Sequence, residues 1–385
     1  MKNMKKIKWN LFNVLLWVWG FVLLYPVPSF ASSMELQYAK GFKVSREEGY
    51  SIVTVVQPWA GAREGQQYLL VSQGASIPER LAHLPIVHVP VRRVITTSMT
   101  MLPFIEELGG ADVFVGVGGK RYVYSNVIRN SDLPDVAADA GAGLRLDVEK
   151  ILSLRPDVVF VYAYTATEKE AADRLRQLGV PLVIASDYLE EEPLGMAEWI
   201  KFVGLFLGEE GEADAFFRRV AEQYNSLVQK VRDMTKERPT VMANAAIGGT
   251  WYVPGGRSWP AYLLRDAGGR YLWSDLNQRG GVPIDFENVL ERAISCDFWI
   301  NASSWQSLED AITEDPRYET FRPFKERRIY NNNARVTKSG ANDYYQQGIM
   351  RPDLILEDLI AILHPHLLPN HELFFYHQLS ERNIP

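Results

Sequence analysis

The chain has 385 residues, 47% hydrophobic and 23% charged, with 41 basic residues against 47 acidic and one cysteine, Cys296. That length exceeds what one ordinary core organises, so two domains are expected, and a single cysteine excludes a disulfide framework. The net charge of −6 becomes −10 once residues 1–31 and their four lysines are set aside, which argues against nucleic acid or anionic lipid as a partner.

Lys2, Lys5, Lys6 and Lys8 precede an apolar run over residues 11–24, then Pro26, Pro28 and the small-residue site Ser29-Phe30-Ala31. This is the layout of a secretory signal peptide cleaved after Ala31. The run is shorter than the roughly 20 residues a membrane-spanning helix needs. No cysteine adjoins the expected cleavage site for lipid attachment, so the mature chain reads as a soluble periplasmic monomer.

Residues 32–91 form an N-terminal extension whose runs at 51–57 and 68–72 predict strands. From Arg92 the texture changes to strands alternating with helices. Strands are predicted at 91–97, 113–117, 158–162 and 181–186, and helices at 102–108, 148–154 and 168–178. Such alternation predicts a parallel sheet covered by helices over 92–192. Residues 193–232 read as almost wholly helical, with Phe216, Val220, Tyr224, Leu227, Val228 and Val231 forming one apolar stripe in a connector over 193–237. Alternation resumes at 240–246, 261–266, 289–293 and 298–301, within a last unit over 238–385. Its final helix, at 352–363, ends before Pro365.

The two halves echo each other. Leu146-Asp147-Val148-Glu149-Lys150-Ile151-Leu152 leads to Pro156-Asp157-Val158-Val159-Phe160; Ile284-Asp285-Phe286-Glu287-Asn288-Val289-Leu290 leads to Cys296-Asp297-Phe298-Trp299-Ile300. A second echo pairs two helices ending in glycine pairs, 102–110 and 262–269. Two echoes in the same order imply two similar α/β lobes. Asp147 and Asp285 stand where helix N-caps belong, and Glu149 and Glu287 fall in the first turns.

At these residues the chain resembles the periplasmic binding proteins for ferric siderophores and cobalamin. The resemblance spans residues 92–366 and rests on Arg92-Arg93-Val94-Ile95-Thr96-Thr97-Ser98 and on the run from Leu146 to Phe160. It implies two Rossmann-like lobes joined by one long helix, a metal chelate held between them, and delivery to the permease subunits of an ABC importer. It also implies that Glu149 and Glu287 dock on that importer; their capping position is an alternative, non-exclusive role. The extension before Arg92 and the tail after His364 depart from the family pattern.

In open α/β sheets ligands sit beyond the carboxyl ends of the strands, so the loops there are the candidate site. They carry Thr97, Ser98 and Met99, then Arg121, Tyr122 and Tyr124, Arg145, and Tyr162 with Tyr164. The second half offers Trp251, Arg257, Ser258, Trp259, Trp305, Arg335 and Tyr344. Arginines beside aromatics suit a flat or anionic chelate; each aromatic has lobe core as its alternative. His83, His88, His364, His366, His371 and His377 lie outside these loops, so a pre-formed chelate, with no protein-bound metal and no cofactor, is expected over a bare ion.

An enzyme, a chelatase or a glycosyl transferase housed in two Rossmann-like lobes, is the rival reading. Gly116-Val117-Gly118-Gly119 invites a dinucleotide fingerprint, but its third glycine is missing. No phosphate loop or nucleophile elbow is present. Asp187 with Glu190-Glu191-Glu192 reads as a solvated acidic turn. A surface protein whose extension recruits a partner is a third reading. No turnover is expected.

Overall fold

The computed structural model describes residues 32–139, 144–162, 166–234 and 236–381; the expected export segment, its cleavage site and Tyr164 lie outside them. Among the described residues, no helix is long and apolar enough to cross a membrane.

The N-terminal extension folds as a five-stranded sheet of β1 (Ser32–Ser33), β2 (Phe42–Glu47), β3 (Tyr50–Val55), β4 (Gln66–Ser72) and β5 (Ile86–Val89), in that spatial order. Neighbours are antiparallel except β4 and β5, which run parallel. Phe42, Val44, Val53 and Val55 alternate onto a buried face.

The first lobe runs through β6 (Val94–Thr96), α1 (Met101–Gly109), β7 (Phe114–Val117) and α2 (Asn126–Arg129). It continues with the hairpin β8 (Ala137–Asp139) and β9 (Leu144–Leu146), then α3 (Val148–Leu154), β10 (Val158–Tyr162), α4 (Ala166–Gln177) and β11 (Leu182–Ala185). Its main sheet is parallel, ordered β11-β10-β6-β7. The central strands β10 and β6 are short apolar runs buried on both faces, as covered parallel sheets require.

The expected single connector helix is three: α5 (Pro193–Ala197), α6 (Trp199–Leu207) and the 25-residue α7 (Glu210–Met234). Glu198 separates the first two, and Gly208, at φ 74°, ends α6 in a left-handed conformation that glycine adopts without strain. The stripe on α7 buries Phe216, Val220, Tyr224, Leu227, Val228 and Val231, as the spacing predicts.

The second lobe begins with β12 (Thr240–Ala243), the hairpin β13 (Ala246–Ile247) and β14 (Thr250–Pro254), and α8 (Trp259–Asp266). β15 (Arg270–Tyr271), β16 (Gly281–Ile284), α9 (Phe286–Ala293), β17 (Phe298–Ile300), α10 (Leu308–Glu314), α11 (Arg322–Lys325) and β18 (Ile329–Asn331) follow. α12 (Gln347–Met350), α13 (Pro352–Leu363) and β19 (His377–Gln378) complete it. Its main sheet is ordered β15-β12-β17-β18-β19, parallel but for the tail strand β19.

The lobes repeat one topology, with β6, β7, β10 and β11 matching β12, β15, β17 and β18. The echoed residues do the same work in each. Asp147 accepts the Lys150 N–H at 3.0 Å, and Asp285 accepts that of Asn288 at 2.9 Å, each capping its helix. Asp157 accepts the N–H groups of Arg92 and Arg93 at 2.7 and 2.9 Å, tying β10 to the entry of β6. Asp297 accepts the Thr240 N–H at 2.7 Å, tying β17 to β12.

The acidic stretch expected to be a solvated turn is instead a buried junction. Asp187 is fully buried and Glu190 nearly so. The Glu190 carboxylate accepts the N–H groups of Lys40 and Gly41 at 2.9 and 2.7 Å and the Trp199 indole at 3.0 Å. Glu198 accepts those of Gln37, Tyr38 and Ala39 at 3.0, 2.7 and 2.8 Å. These carboxylates satisfy backbone donors that the extension would otherwise bury unpaired.

Candidate functional site

A cleft of about 670 Å³ opens between the lobes at the carboxyl ends of their strands. Met99 and Tyr122 line it from the first lobe; from the second come Ser303, Ser304 and Gln306, Asn332 and Asn333, and Val336, Gly340, Ala341, Asn342, Tyr345 and Gln346. The volume lies in the roughly 300–1,000 Å³ range of small-ligand sites. The lining mixes amides, hydroxyls, phenols and a thioether with the apolar side chains of Val336 and Ala341.

The first-lobe floor is built by the β6–α1 turn. Thr97 and Ser98 are buried; the Thr97 hydroxyl accepts the Tyr162 N–H at 3.3 Å, and the Ser98 hydroxyl lies 2.9 Å from that of Thr100. The glycine run beside it serves packing. A Cβ on Gly116 would meet Val136 at 2.9 Å, and one on Gly118 would meet Thr97 at 2.9 Å. Asp135 then holds the following turn, accepting the N–H groups of Gly119 at 2.8 Å and Lys120 at 2.9 Å.

The second-lobe floor rests on asparagines. Asn331 donates to the carbonyls of Ser303 and Trp305 at 2.6 and 2.8 Å, and Asn333 donates to those of Ser304 and Trp305 at 3.2 Å each. His377, on the tail strand, braces Asn333 at 2.6 Å. Asn244, Asn301 and Ser303, at or just past the ends of β12 and β17, hold positive φ of 63°, 56° and 136°. Such conformations cost free energy and concentrate at functional sites.

Of the residues expected at the site, Met99 and Tyr122 line the cleft, and Arg121 adjoins it, its guanidinium 4.5 Å from the Tyr122 ring centre. Tyr162 is half-buried beside the floor, its ring 4.7 Å from that of Tyr188. Tyr124 and Arg335 line a neighbouring inter-lobe cavity instead. Arg335 is paired with Asp343 at 2.7 Å and lies over the rings of Tyr124 and Phe374.

The other expected residues face elsewhere. Trp251 is core: fully buried, stacked 5.4 Å from Trp299, its indole donating to the Ala243 carbonyl at 3.0 Å. Trp305 is buried and bonded to Glu314 at 2.7 Å, so its neighbours Ser304 and Gln306 take the cleft. Tyr344 is buried against Tyr376, with half-buried Trp259 packed 5.5 Å from it. Ser258 is buried on the Gly255 carbonyl at 2.7 Å. Arg257 is held by Glu191 at 2.5 Å, and Arg279 joins the same carboxylate at 2.6 Å. Arg145 is exposed on the β9 hairpin.

Glu149 and Glu287 are exposed in the first turns of α3 and α9, at equivalent positions of the two lobes. Glu287 has one distant neighbour, Arg317 at 3.8 Å.

The profile of the family described as "Periplasmic binding protein" matches residues 94–335. An uncharacterized lipoprotein of Methanocaldococcus jannaschii is 29% identical over 333 residues, covering 83% of this chain and 77% of that protein. Among solved structures, a periplasmic heme-binding protein from Pseudomonas aeruginosa superposes with a TM-score of 0.58 at 18% identity, over 76% of this chain and 99% of that one. A possible iron-binding (periplasmic solute-binding) protein from Staphylococcus epidermidis gives 0.56 at 15%, over 71% and 99%. At these identities the likeness to the solved structures is one of fold. The matched profile spans both lobes and the connector, and the chain belongs to the periplasmic binding proteins, the solute-binding components of ABC transporters.

Proposed function

We propose that this chain captures a pre-formed metal chelate in the inter-lobe cleft, a ferric siderophore or related iron complex first of all, and delivers it to an inner-membrane importer. The observation that carries this reading is the chemistry of the lining. Asn332, Asn342 and Gln306 offer amide groups with hydroxyls and phenols between them, while the amides of Asn333 and Gln346 are held within the protein. Neutral amides and alkyl hydroxyls are poor ligands for a bare transition-metal ion, which takes imidazole, thiolate, carboxylate or, for ferric iron, phenolate. They suit the carbonyls and hydroxyls on the outside of a chelate. With Arg121 beside the cleft and Arg335 tied to Asp343, the walls favour a chelate of small net charge over a strongly anionic one.

The same amide lining supports a second reading, cobalamin, whose rim carries carboxamides; haem is the remaining candidate of this transporter class. We further propose that Glu149 and Glu287 are the docking residues, one from each lobe, presented to the importer's permease subunits.

Calorimetric titration of residues 32–385 with a ferric trihydroxamate chelate, cyanocobalamin, haemin and free ferric and zinc ions tests the ligand. The expected result is saturable one-to-one binding of the ferric chelate with Kd of about 1 μM or below, near −8 kcal/mol. Binding of cobalamin alone would overturn the iron reading. Tight binding of the bare ions would overturn the chelate.

A further inference from the structure

Two cavities lie side by side between the lobes: the 670 Å³ cleft and a smaller one of about 280 Å³ bordered by α1, Tyr124, Arg335 and Asp343. Among the described residues only Gln346 lines both. Its side chain crosses from the second lobe to the first: Nε2 donates to the Tyr122 carbonyl at 2.8 Å, and Oε1 accepts the Tyr124 N–H at 3.0 Å. Val123 between them is extended, at φ −77° and ψ 125°, so that carbonyl and that N–H point the same way. The amide therefore docks on the first lobe as the next strand of a ladder would. Tyr122 stands on the cleft side of this contact and Tyr124 on the other. Gln346 is itself nearly buried.

We propose that Gln346 is a positioning residue, a strut that fixes the separation of the lobes and partitions the space between them. Breaking its two bonds widens the cleft and joins the two cavities into one chamber. Among the described residues the Arg335 guanidinium, 5.2 Å from the Tyr124 ring centre, also reaches across, and two further ties lie at the rim. The Ser339 hydroxyl donates to the Arg121 carbonyl at 2.8 Å from an exposed turn, and the Glu191–Arg257 pair lies at the junction with the connector. The proposal depends on the two lobes alone and not on which chelate the cleft holds.

A side chain that only fills space responds to shape; a strut of this kind responds to its donor. Gln346→Glu preserves shape. Its carboxylate keeps the acceptor for Tyr124 but sets a second acceptor against the Tyr122 carbonyl, and protonation restores a donor. The experiment is spin-label distance measurement on residues 32–385 carrying Ser153→Cys and Glu291→Cys, one exposed label site on each lobe, with the buried Cys296 left in place. The parent should give one narrow distance at pH 5 and pH 8. Gln346→Ala should lengthen it by more than about 2 Å at both values, the scale of a genuine rearrangement. Burial and the facing Tyr122 carbonyl favour the protonated carboxyl in Gln346→Glu, which should match the parent at pH 5 and lengthen at pH 8. Gln346→Asn, one methylene shorter, reaches one partner and should fall between. If Gln346→Glu follows the parent at both pH values, the proposal is wrong, whatever the alanine variant does.

Discussion

Asp187 occupies the turn after β11, at the carboxyl edge of the first-lobe sheet. Its side chain is fully buried. Burial pushes its pKa up to about 6, with the nearby Thr100 hydroxyl opposing. The native state thus holds this proton more tightly than the unfolded chain, whose value is near 3.8. Its contribution to stability is complete below that value and is lost as pH rises through about 6. Ionisation above pH 6 then costs the native state about 3 kcal/mol, from roughly two pKa units at 1.36 each. Asp187→Asn should stabilise the protein by up to that amount at pH 8 and by almost nothing at pH 4, read from denaturant unfolding at both. Equal effects at the two pH values would show that Asp187 is ionised or solvated. Sequence reading missed this residue because a run of four acids within six positions looks like solvated surface. The same bias favoured arginines and tryptophans for the site and overlooked the neutral amides. An Asn-Asn-Asn run reads as a turn until the fold sets it at a strand end facing a cleft. The tryptophans failed for the opposite reason: among the described residues Trp199, Trp251, Trp273, Trp299 and Trp305 are buried and supply core volume before they supply recognition.

At the scale of elements, the echo between the halves was legible because it encodes a local solution twice: a capped helix, a turn, then a strand whose first aspartate pins its neighbour. Helix α3, strand β10 and helix α13 fall on the residues the pattern predicts. The strands stop short of their predicted ends where β-branched residues continue into the cleft loops, as at Thr97. The connector reads as continuous because neither Glu198 nor Gly208 interrupts its hydrophobicity. The two equivalent helices separate docking from capping. Asp147→Ala removes a side-chain bond to an orphan N–H and should cost about 1 kcal/mol of stability, with ligand affinity unchanged. Glu149→Ala and Glu287→Ala remove exposed carboxylates that carry no capping bond. Each should leave stability within about 0.5 kcal/mol. Each should also lower stimulation of importer ATPase in proteoliposomes at least several-fold. Unchanged stimulation with a stability loss like that of Asp147→Ala would assign the glutamates to the helix and not to the importer.

At the scale of the whole molecule, the N-terminal sheet is not an appendage. The Phe42 ring lies 5.0 Å from Trp199 and 5.2 Å from Phe202, and Phe202 in turn contacts Phe160 and Phe206. One hydrophobic core therefore runs from the extension through α6 into the first lobe. The Tyr68 hydroxyl donates nothing to solvent: it is fully buried and accepts the Ile184 N–H at 2.9 Å on β11. Every residue of α6 is buried, including Lys201, which pairs with Glu198 at 3.1 Å and Asp214 at 3.2 Å. Removing residues 34–91 would uncover Trp199 and Phe202 and strand the carboxylates of Glu190 and Glu198 without their backbone donors. Aromatic truncations alone cost about 3–5 kcal/mol each at such sites, against a typical total stability of about 5–15 kcal/mol. A chain of residues 92–385 should accordingly be aggregated or lack a cooperative thermal transition. The point change Phe42→Ala in the full mature chain should lower the unfolding free energy by about 3–5 kcal/mol. A cooperative transition in the shortened chain, at the melting temperature of the whole, would show instead that the extension is an independent module. The partner-recruiting role, which requires a module that can be removed, would then regain its footing.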